Sequence, residues 1–263
     1  VVVFALLPRE YFALRQAPAR LMSFREKFQA FRELGIDRVL RIRFTPTFRE
    51  MGANEFIKRV FVDGLGVRYL VVGDDLRFGR NRGGDFQVLK RAGEKYGYGV
   101  DDTSTLLVGE DRVSSTRIRE ALELADFDQA EALLGRPYSI AGRVIIGNQL
   151  GRQINVPTAN LQLRRIRSVL SGVYAVEIEG LGEGRLFGVA NVGTRPTVGD
   201  LIEAILEVHI FDFNEDIYGK KIKVVFRKKI RDEKKFSSMD ELKENITSDI
   251  NYGRKYFGLQ NKV

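Results

Sequence analysis

The first half of the chain alternates between two hydrophobic periods. "VVVFAL", "RVLRIRF", "VRYLVVG" and "GVDDTSTLLVG" are strand-like runs, and the third is a continuous apolar stretch that reads as a buried strand. Between them, "MSFREKFQAFRELG" sets Phe24, Phe28, Phe31 and Leu34 at helical spacing and offers Gly35 as a closing glycine. "NEFIKRVFVDGLG" and "DFQVLKRAGEKYG" are helical as well, and "SSTRIREALELADFDQAEALLG" opens on hydroxyl residues suited to a helix cap. Strands separated by helices predict right-handed crossovers and a parallel sheet, with ligands at the carboxyl ends of the strands. After Gly135 the pattern changes. "YSIAGRVIIGN", "SGVYAVEIEGL", "RLFGVANVG", "IEAILEVHIFDF" and "KKIKVVFRKKI" are strand-like, several with period two, separated by Gly, Asn and Asp turns. Helical spacing returns only in "SSMDELKENITSDINYGRKYF". The second half therefore reads as a small antiparallel barrel with a C-terminal helix. The junction near Arg136 and Pro137 divides the chain into domains 1–136 and 137–263.

Composition narrows the chemistry. The 263 residues suffice for two ordinary domains, and 44% hydrophobic with 30% charged residues is a globular profile. No apolar run is long enough to span a bilayer, and no basic segment or cleavage site frames a signal peptide. Cysteine is absent, which excludes disulfides, thiolate metal sites and a cysteine nucleophile, and fits a cytoplasmic location. The single histidine, His209, excludes a His-pair metal site. A net charge of +8 suits polyanions, either nucleic acid or phosphorylated small molecules. The basic run "KKIKVVFRKKIRDEKKF" alternates like a half-exposed strand and lacks the interleaved aromatics of a single-strand binder, so no nucleic-acid partner and no membrane partner is expected.

Four stretches carry candidate chemistry. "VVGDDLRFGRNRGGD" ends a strand in a glycine-rich turn, where Arg77, Arg80 and Arg82 could hold phosphates and Asp75 could accept from a ring N–H; a solvated loop explains the same residues equally well. In "RVSSTRIREAL", Ser114, Ser115 and Thr116 precede a helix with Arg117 and Arg119 in its opening residues. An ordinary cap explains the hydroxyls, whereas cations there are disfavoured unless an anion joins them, as a phosphate would. In "GRVIIGNQLGRQINVPTAN", Gly142, Gly147 and Gly151 mark sharp turns or close approaches, and Pro157 forbids a helix. Thr158 and Asn160, two apart in an extended chain, point the same way and offer hard oxygens suited to magnesium; a glycine-rich hairpin explains the glycines but not this pair. In "LIEAILEVHIFDF", Leu206, Val208 and Ile210 share one strand face, Glu207 and His209 the other. Glu207 could act as a general base, against the commoner solvated glutamate; His209 is its neighbour rather than a metal ligand.

Together these motifs resemble the bacterial bifunctional riboflavin kinase/FMN adenylyltransferase (FAD synthetase) family along the whole chain. "VVGDDLRFGRNRGGD" and "RVSSTRIREAL" are similar to its adenylyltransferase motifs; "GRQINVPTANL", "GVANVGTRPTVG", "LEVHIFDF" and "IRDEKKF" are similar to its kinase motifs, in the expected order. The resemblance implies a Rossmann-like nucleotidyltransferase domain followed by a riboflavin kinase β-barrel. It implies that ATP phosphorylates the ribityl 5′-hydroxyl of riboflavin to give FMN, and that a second ATP adenylylates FMN to FAD with release of pyrophosphate. Glu207 is then the base; Gly147, Gly151 and Arg152 belong to the nucleotide loop; Thr158 and Asn160 organise Mg²⁺ and phosphates; Arg231 belongs to a mobile flavin-side segment. Ser114, Ser115, Thr116 and Arg119 hold ATP in the other domain, where Asp75 and Arg77 face the flavin. Three departures stand out. No histidine precedes His209, so the family's His-x-Gly-His loop has no counterpart, and an N-terminal strand and loop are expected to be missing from the sequence. Asn155 stands where the family has glycine, a position asparagine tolerates. "FALLPRE" departs from the family's Phe-x-Pro-x-Pro pattern. A monofunctional kinase with a degraded first domain is the alternative within the family, and a basic nucleic-acid binder the alternative outside it.

Overall fold

The computed structural model describes residues 2–6, 18–73, 75–103, 105–147, 156–163, 167–196 and 202–260. The chain forms two compact units, Val1–Ala17 with Gly35–Arg112, and Pro18–Leu34 with Val113–Val263.

In the first unit, strands β1 (Val2–Leu6) and β2 (Arg38–Ile42) pair in parallel, as do β3 (Tyr69–Val72) and β4 (Gly99–Asp102). Among the described residues these are two separate pairs rather than one continuous sheet. Helix α4 (Phe86–Tyr96) joins β3 to β4. It starts because the Asp85 carboxylate accepts from the Val88 N–H at 2.9 Å, and it stops at Gly97, whose φ of 77° is a left-handed cap. The short helices α2 (Pro46–Arg49) and α3 (Ala53–Phe56) precede it, and α3 continues into a π-helical stretch, Ile57–Val62. Phe56, Ile57, Phe61, Leu70, Val72 and Leu89 form the core. Strand β3 is not buried throughout: Leu70 and Val72 point into that core, while Tyr69 and Val71 on the alternate face are more than half exposed. A continuous apolar run thus lies with only one face covered, a case periodicity alone does not separate from full burial. "GVDDTSTLLVG" likewise is not one strand; it breaks after β4 into an antiparallel ribbon, β5 (Leu107–Val108) with β6 (Asp111–Arg112).

The second unit contains the barrel. Strands β7 (Ser139–Ile145), β8 (Ala159–Gln162), β9 (Gly172–Glu179), β10 (Leu186–Pro196), β11 (Ile202–Ile210) and β12 (Lys221–Arg231) close in the order β10-β11-β8-β7-β12-β9, each pair antiparallel. Alternation decides what fills it: Ala204, Leu206, Val208 and Ile210 of β11 are buried. In the basic strand β12, Ile222 and Val224 are buried while Lys221 and Lys223 are exposed, the solvated face its alternation predicts. The C-terminal helix α7 (Met239–Tyr256) is capped by Ser238, which accepts from Glu241 N–H at 3.1 Å.

Helices α1 (Phe24–Glu33), α5 (Ser115–Glu123) and α6 (Phe127–Leu134) belong to the same compact unit as the barrel. The compact unit therefore differs from the division at residue 136. The apolar face of α6 accounts for this: Phe127 meets Tyr174 edge-on at 5.8 Å and stacks on Phe226 at 6.4 Å, while Arg227 of β12 reaches Glu131 at 3.5 Å. Helix α1 is tied on through Glu26, whose carboxylate accepts from Ala141 N–H at 2.8 Å.

One glycine tests how tightly the strands meet. A methyl group on Gly188 of β10 would overlap the His209 carbonyl oxygen across the ladder. Gly188→Ala is expected to cost about 1–3 kcal/mol through forced strand displacement, read from the urea midpoint of unfolding.

Candidate active sites

Strand register assembles the first site. Glu207 of β11 lies directly opposite Asn160 of β8 on one side and Asn191 of β10 on the other. Directly opposed residues have Cβ atoms about 5 Å apart, so the three polar side chains are neighbours. They lie on the face away from Leu206 and Val208, which fill the barrel. The belt continues: Asn160 pairs with Ile145, Asn191 with Val173, and Val173 with Arg231. Glu207, Asn160 and Arg231, far apart in sequence, thus lie along one run of cross-strand pairs.

Thr158 joins them. It directly precedes β8, whose pairing with β11 ends at Ala159 opposite Val208. The His209 ring makes a 2.9 Å hydrogen bond through Nδ1 to the Pro157 carbonyl oxygen. Burial pushes its imidazole below the ordinary value, and the bond to Pro157 pulls it partly back. A cavity of about 500 Å³ opens beside this turn, lined by Pro157, Thr158, Ala159, Phe213, Ile217 and Tyr218 among others. Its lining is mixed: Val144, Val208, Ile210 and Ile217 stand beside Asn214, Glu215 and Asp216.

Asn160 is only 9% exposed, and among the described residues its side-chain amide makes no hydrogen bond. A buried amide without a partner is costly unless a ligand completes it. Gly147 lies against it, so closely that a methyl group there would overlap the amide. Gly151, Arg152 and Asn155 lie outside the described residues.

Arg231 is anchored. It donates from Nε and Nη2 to Asp249 of α7 at 2.9 and 2.8 Å, and from Nη1 to the Asp232 carbonyl at 3.0 Å. Its guanidinium lies 5.4 Å from the centre of the Phe236 ring. This fork on a carboxylate 5% exposed holds the guanidinium in one place.

The second group of residues sits at the start of α5. Ser114 is the cap, its hydroxyl accepting from Arg117 N–H at 3.3 Å. Arg119 folds back, donating to the carbonyls of Ala19 at 2.7 Å and Ser115 at 3.0 Å, while Ser115 and Thr116 are exposed. In the other compact unit, Asp75 follows β3, 3.7 Å from Arg112, and Arg77 donates to the Leu76 carbonyl at 2.8 Å; both are exposed. Among the described residues no group of three or more His, Cys, Asp or Glu could hold a metal ion, and no helix is long and apolar enough to cross a membrane.

A riboflavin kinase family model matches residues 134–257, and an FAD synthetase family model matches residues 1–117. The bifunctional riboflavin kinase/FMN adenylyltransferase of Escherichia coli K12 is 49% identical over 259 residues, 98% of this chain and 82% of that protein. The chain belongs to the bifunctional riboflavin kinase/FMN adenylyltransferase family. The Pseudomonas fluorescens member is 48% identical over 250 residues, 95% of this chain and 80% of that one. A crystal structure described as a macrolide-efflux protein from Streptococcus pneumoniae superposes with a TM-score of 0.72 at 30% identity, covering 96% of this chain and 82% of that chain. In family terms, the Glu207 belt falls within the riboflavin kinase match, Asp75 and Arg77 fall within the FAD synthetase match, and Ser114 to Thr116 lie at the latter's end. Sequence reasoning passed over Asn191 and the loop at 213–218. Asn191 is signalled in "GVANVG" only by being polar in an apolar strand, and the loop carries no motif at all.

Proposed function

We infer that this chain makes flavin cofactors, phosphorylating riboflavin to FMN and adenylylating FMN to FAD, each with ATP. The observation that carries the kinase half is the register that sets Glu207 against Asn160, next to a cavity bordered by Thr158. Phosphoryl transfer needs positioning and charge neutralisation more than covalent chemistry. Glu207 accepts the proton of the ribityl 5′-hydroxyl as its oxygen attacks the γ-phosphorus, and ADP leaves. With the phosphates at Thr158 and Asn160, the cavity bordered by Thr158 takes the adenosine, its aliphatic and aromatic side chains against the base and its polar ones toward the ribose. Arg231 serves the flavin side from its fixed position on Asp249.

The residues fit magnesium. A Thr hydroxyl and a buried Asn carbonyl are hard oxygens, and an ion held mainly by substrate phosphates needs few protein ligands. Bound there, Mg²⁺ would neutralise charge on the transferring phosphates. Thr158 and Asn160 would hold it, with Gly147, Gly151 and Arg152 around the nucleotide.

For adenylylation, Ser114, Ser115, Thr116 and Arg119 gather ATP phosphates at the start of α5, where free N–H groups favour anions. Asp75 and Arg77 contact the flavin. The FMN phosphate oxygen attacks the α-phosphorus and pyrophosphate departs. A cysteine-free chain using ATP and riboflavin suits the cytoplasm. The two activities divide near residue 136, although residues 113–136 belong to the barrel's compact unit.

Incubation with riboflavin, Mg²⁺ and ATP, followed by separation of the flavins, tests the reading. FMN is expected; FAD beside it would show that the first domain works without a His-x-Gly-His loop, FMN alone would support the kinase and leave the first domain in question, and neither product would overturn the proposal. A finer test concerns Gly147. Gly147→Ala is expected to push the Asn160 amide aside and lower kcat/KM for Mg·ATP at least about tenfold, on the scale of losing one hydrogen bond to a charged group. Steady-state kinetics at saturating riboflavin reads it.

A further inference from the structure

We propose that His209 is a positioning residue for the kinase reaction: from Nδ1 it holds the Pro157 carbonyl, and so fixes the Thr158–Asn160 turn against Glu207. The inference rests on the kinase reading above. Strand β8 is only four residues long, Ala159–Gln162, so the ladder ends at Ala159 and does not hold Thr158. What secures the preceding residue is the 2.9 Å bond from His209. A carbonyl oxygen only accepts, so Nδ1 carries the proton.

The ring is itself braced. It meets Phe211 edge-on at 6.0 Å, and Phe211 in turn lies under the Arg254 guanidinium at 5.4 Å. Arg254 is 7% exposed and forks onto Asp212 at 3.3 and 3.1 Å. Asp212, at a left-handed φ of 54°, begins the loop that walls the cavity. The same support therefore reaches both the turn and the cavity. His209 touches neither substrate nor metal in this scheme; it acts through Pro157, as outer partners orient the ligands of metal and phosphate sites.

Two substitutions separate this role from simple packing. In Asn the amide nitrogen is bonded to Cγ, as Nδ1 is in His, so His209→Asn can still donate to Pro157. In Gln the nitrogen lies one bond further out. His209→Ala and His209→Gln are expected to lose about 10- to 100-fold in kcat/KM for Mg·ATP, with KM for riboflavin nearly unchanged, while His209→Asn stays within a few-fold of wild type. Calorimetric titration with Mg·ADP is expected to show the same order of affinities. The chain has a single histidine, so ¹⁵N NMR reports its ring without assignment. A protonated Nδ1 and a bare Nε2 are expected, with both signals moving on addition of Mg·ADP. A ring protonated at Nε2 alone, wild-type constants in His209→Ala, or equal losses in Asn and Gln variants would overturn the proposal. Absence of FMN from the wild-type protein would instead remove the kinase reading, and the tautomer would still decide whether the clamp exists.

Discussion

Glu207→Gln is expected to lower kcat for FMN formation by about 10²- to 10⁴-fold, the range over which a positioned general base acts. Gln keeps the size and the polarity of the side chain but removes its negative charge, and with it the capacity to take a proton. The register with Asn160 and Asn191 survives, because it is set by the backbone ladder. KM for riboflavin and for Mg·ATP should therefore change little, and the melting temperature should hold. A loss confined to KM would mean that residue 207 binds substrate without moving a proton. Stopped-assay chromatography of FMN at saturating substrates distinguishes the two.

Arg231→Met should instead act on stability. The Arg231–Asp249 pair is largely buried: the Asp249 side chain is 7% exposed and that of Arg231 24%. Removing one partner of such a pair leaves an uncompensated charge and costs about 3–5 kcal/mol. The pH dependence carries the signature. Burial already raises the Asp249 carboxyl above its ordinary value, with Arg231 pulling it back. Without the arginine it rises further. Between the ordinary carboxylate value, about 4, and this raised one, the folded protein binds more protons than the unfolded chain, so stability falls as pH rises through that window. The deficit of the variant against wild type should be small near pH 4 and full above the raised value. Urea unfolding at pH 4.5 and pH 8 measures it, and a deficit independent of pH would show that the charge on Asp249 is not its cause.

The residues that were legible in the sequence are those whose chemistry is local. Alternation in "LIEAILEVHIFDF" puts Glu207 opposite in face to Leu206 and Val208, and the structure has that face. The pairing of Thr158 with Asn160 follows from a two-residue spacing. What the sequence could not express was register. Nothing in "GVANVG" or "TAN" says that Asn191 and Asn160 flank the same glutamate; that depends on how strands separated by tens of residues align. The ends of the barrel were hidden for a similar reason. Phe127 reads as an ordinary helix residue, and only the aromatic cluster of Tyr174 and Phe226 draws α6 onto the barrel. Strand β3 was misread as wholly buried because an apolar run does not reveal how many of its faces are covered. Arg231 reads as the start of a mobile segment in "IRDEKKF", yet the structure anchors it through Asp249, eighteen positions away on a helix.

In the kinase reading, one belt of the barrel brings a proton acceptor, the oxygens at Thr158 and Asn160, and a nucleotide cavity to the same reacting centre. A crystal structure with riboflavin and a magnesium-bound, non-hydrolysable ATP analogue tests it most directly. The ribityl 5′-oxygen is predicted within about 3.2 Å of the Glu207 carboxylate, with the terminal phosphate beside Thr158 and Asn160 and the adenine in the cavity walled by Phe213 and Tyr218. A 5′-oxygen bound away from Glu207, or a nucleotide that leaves that cavity empty, would contradict it.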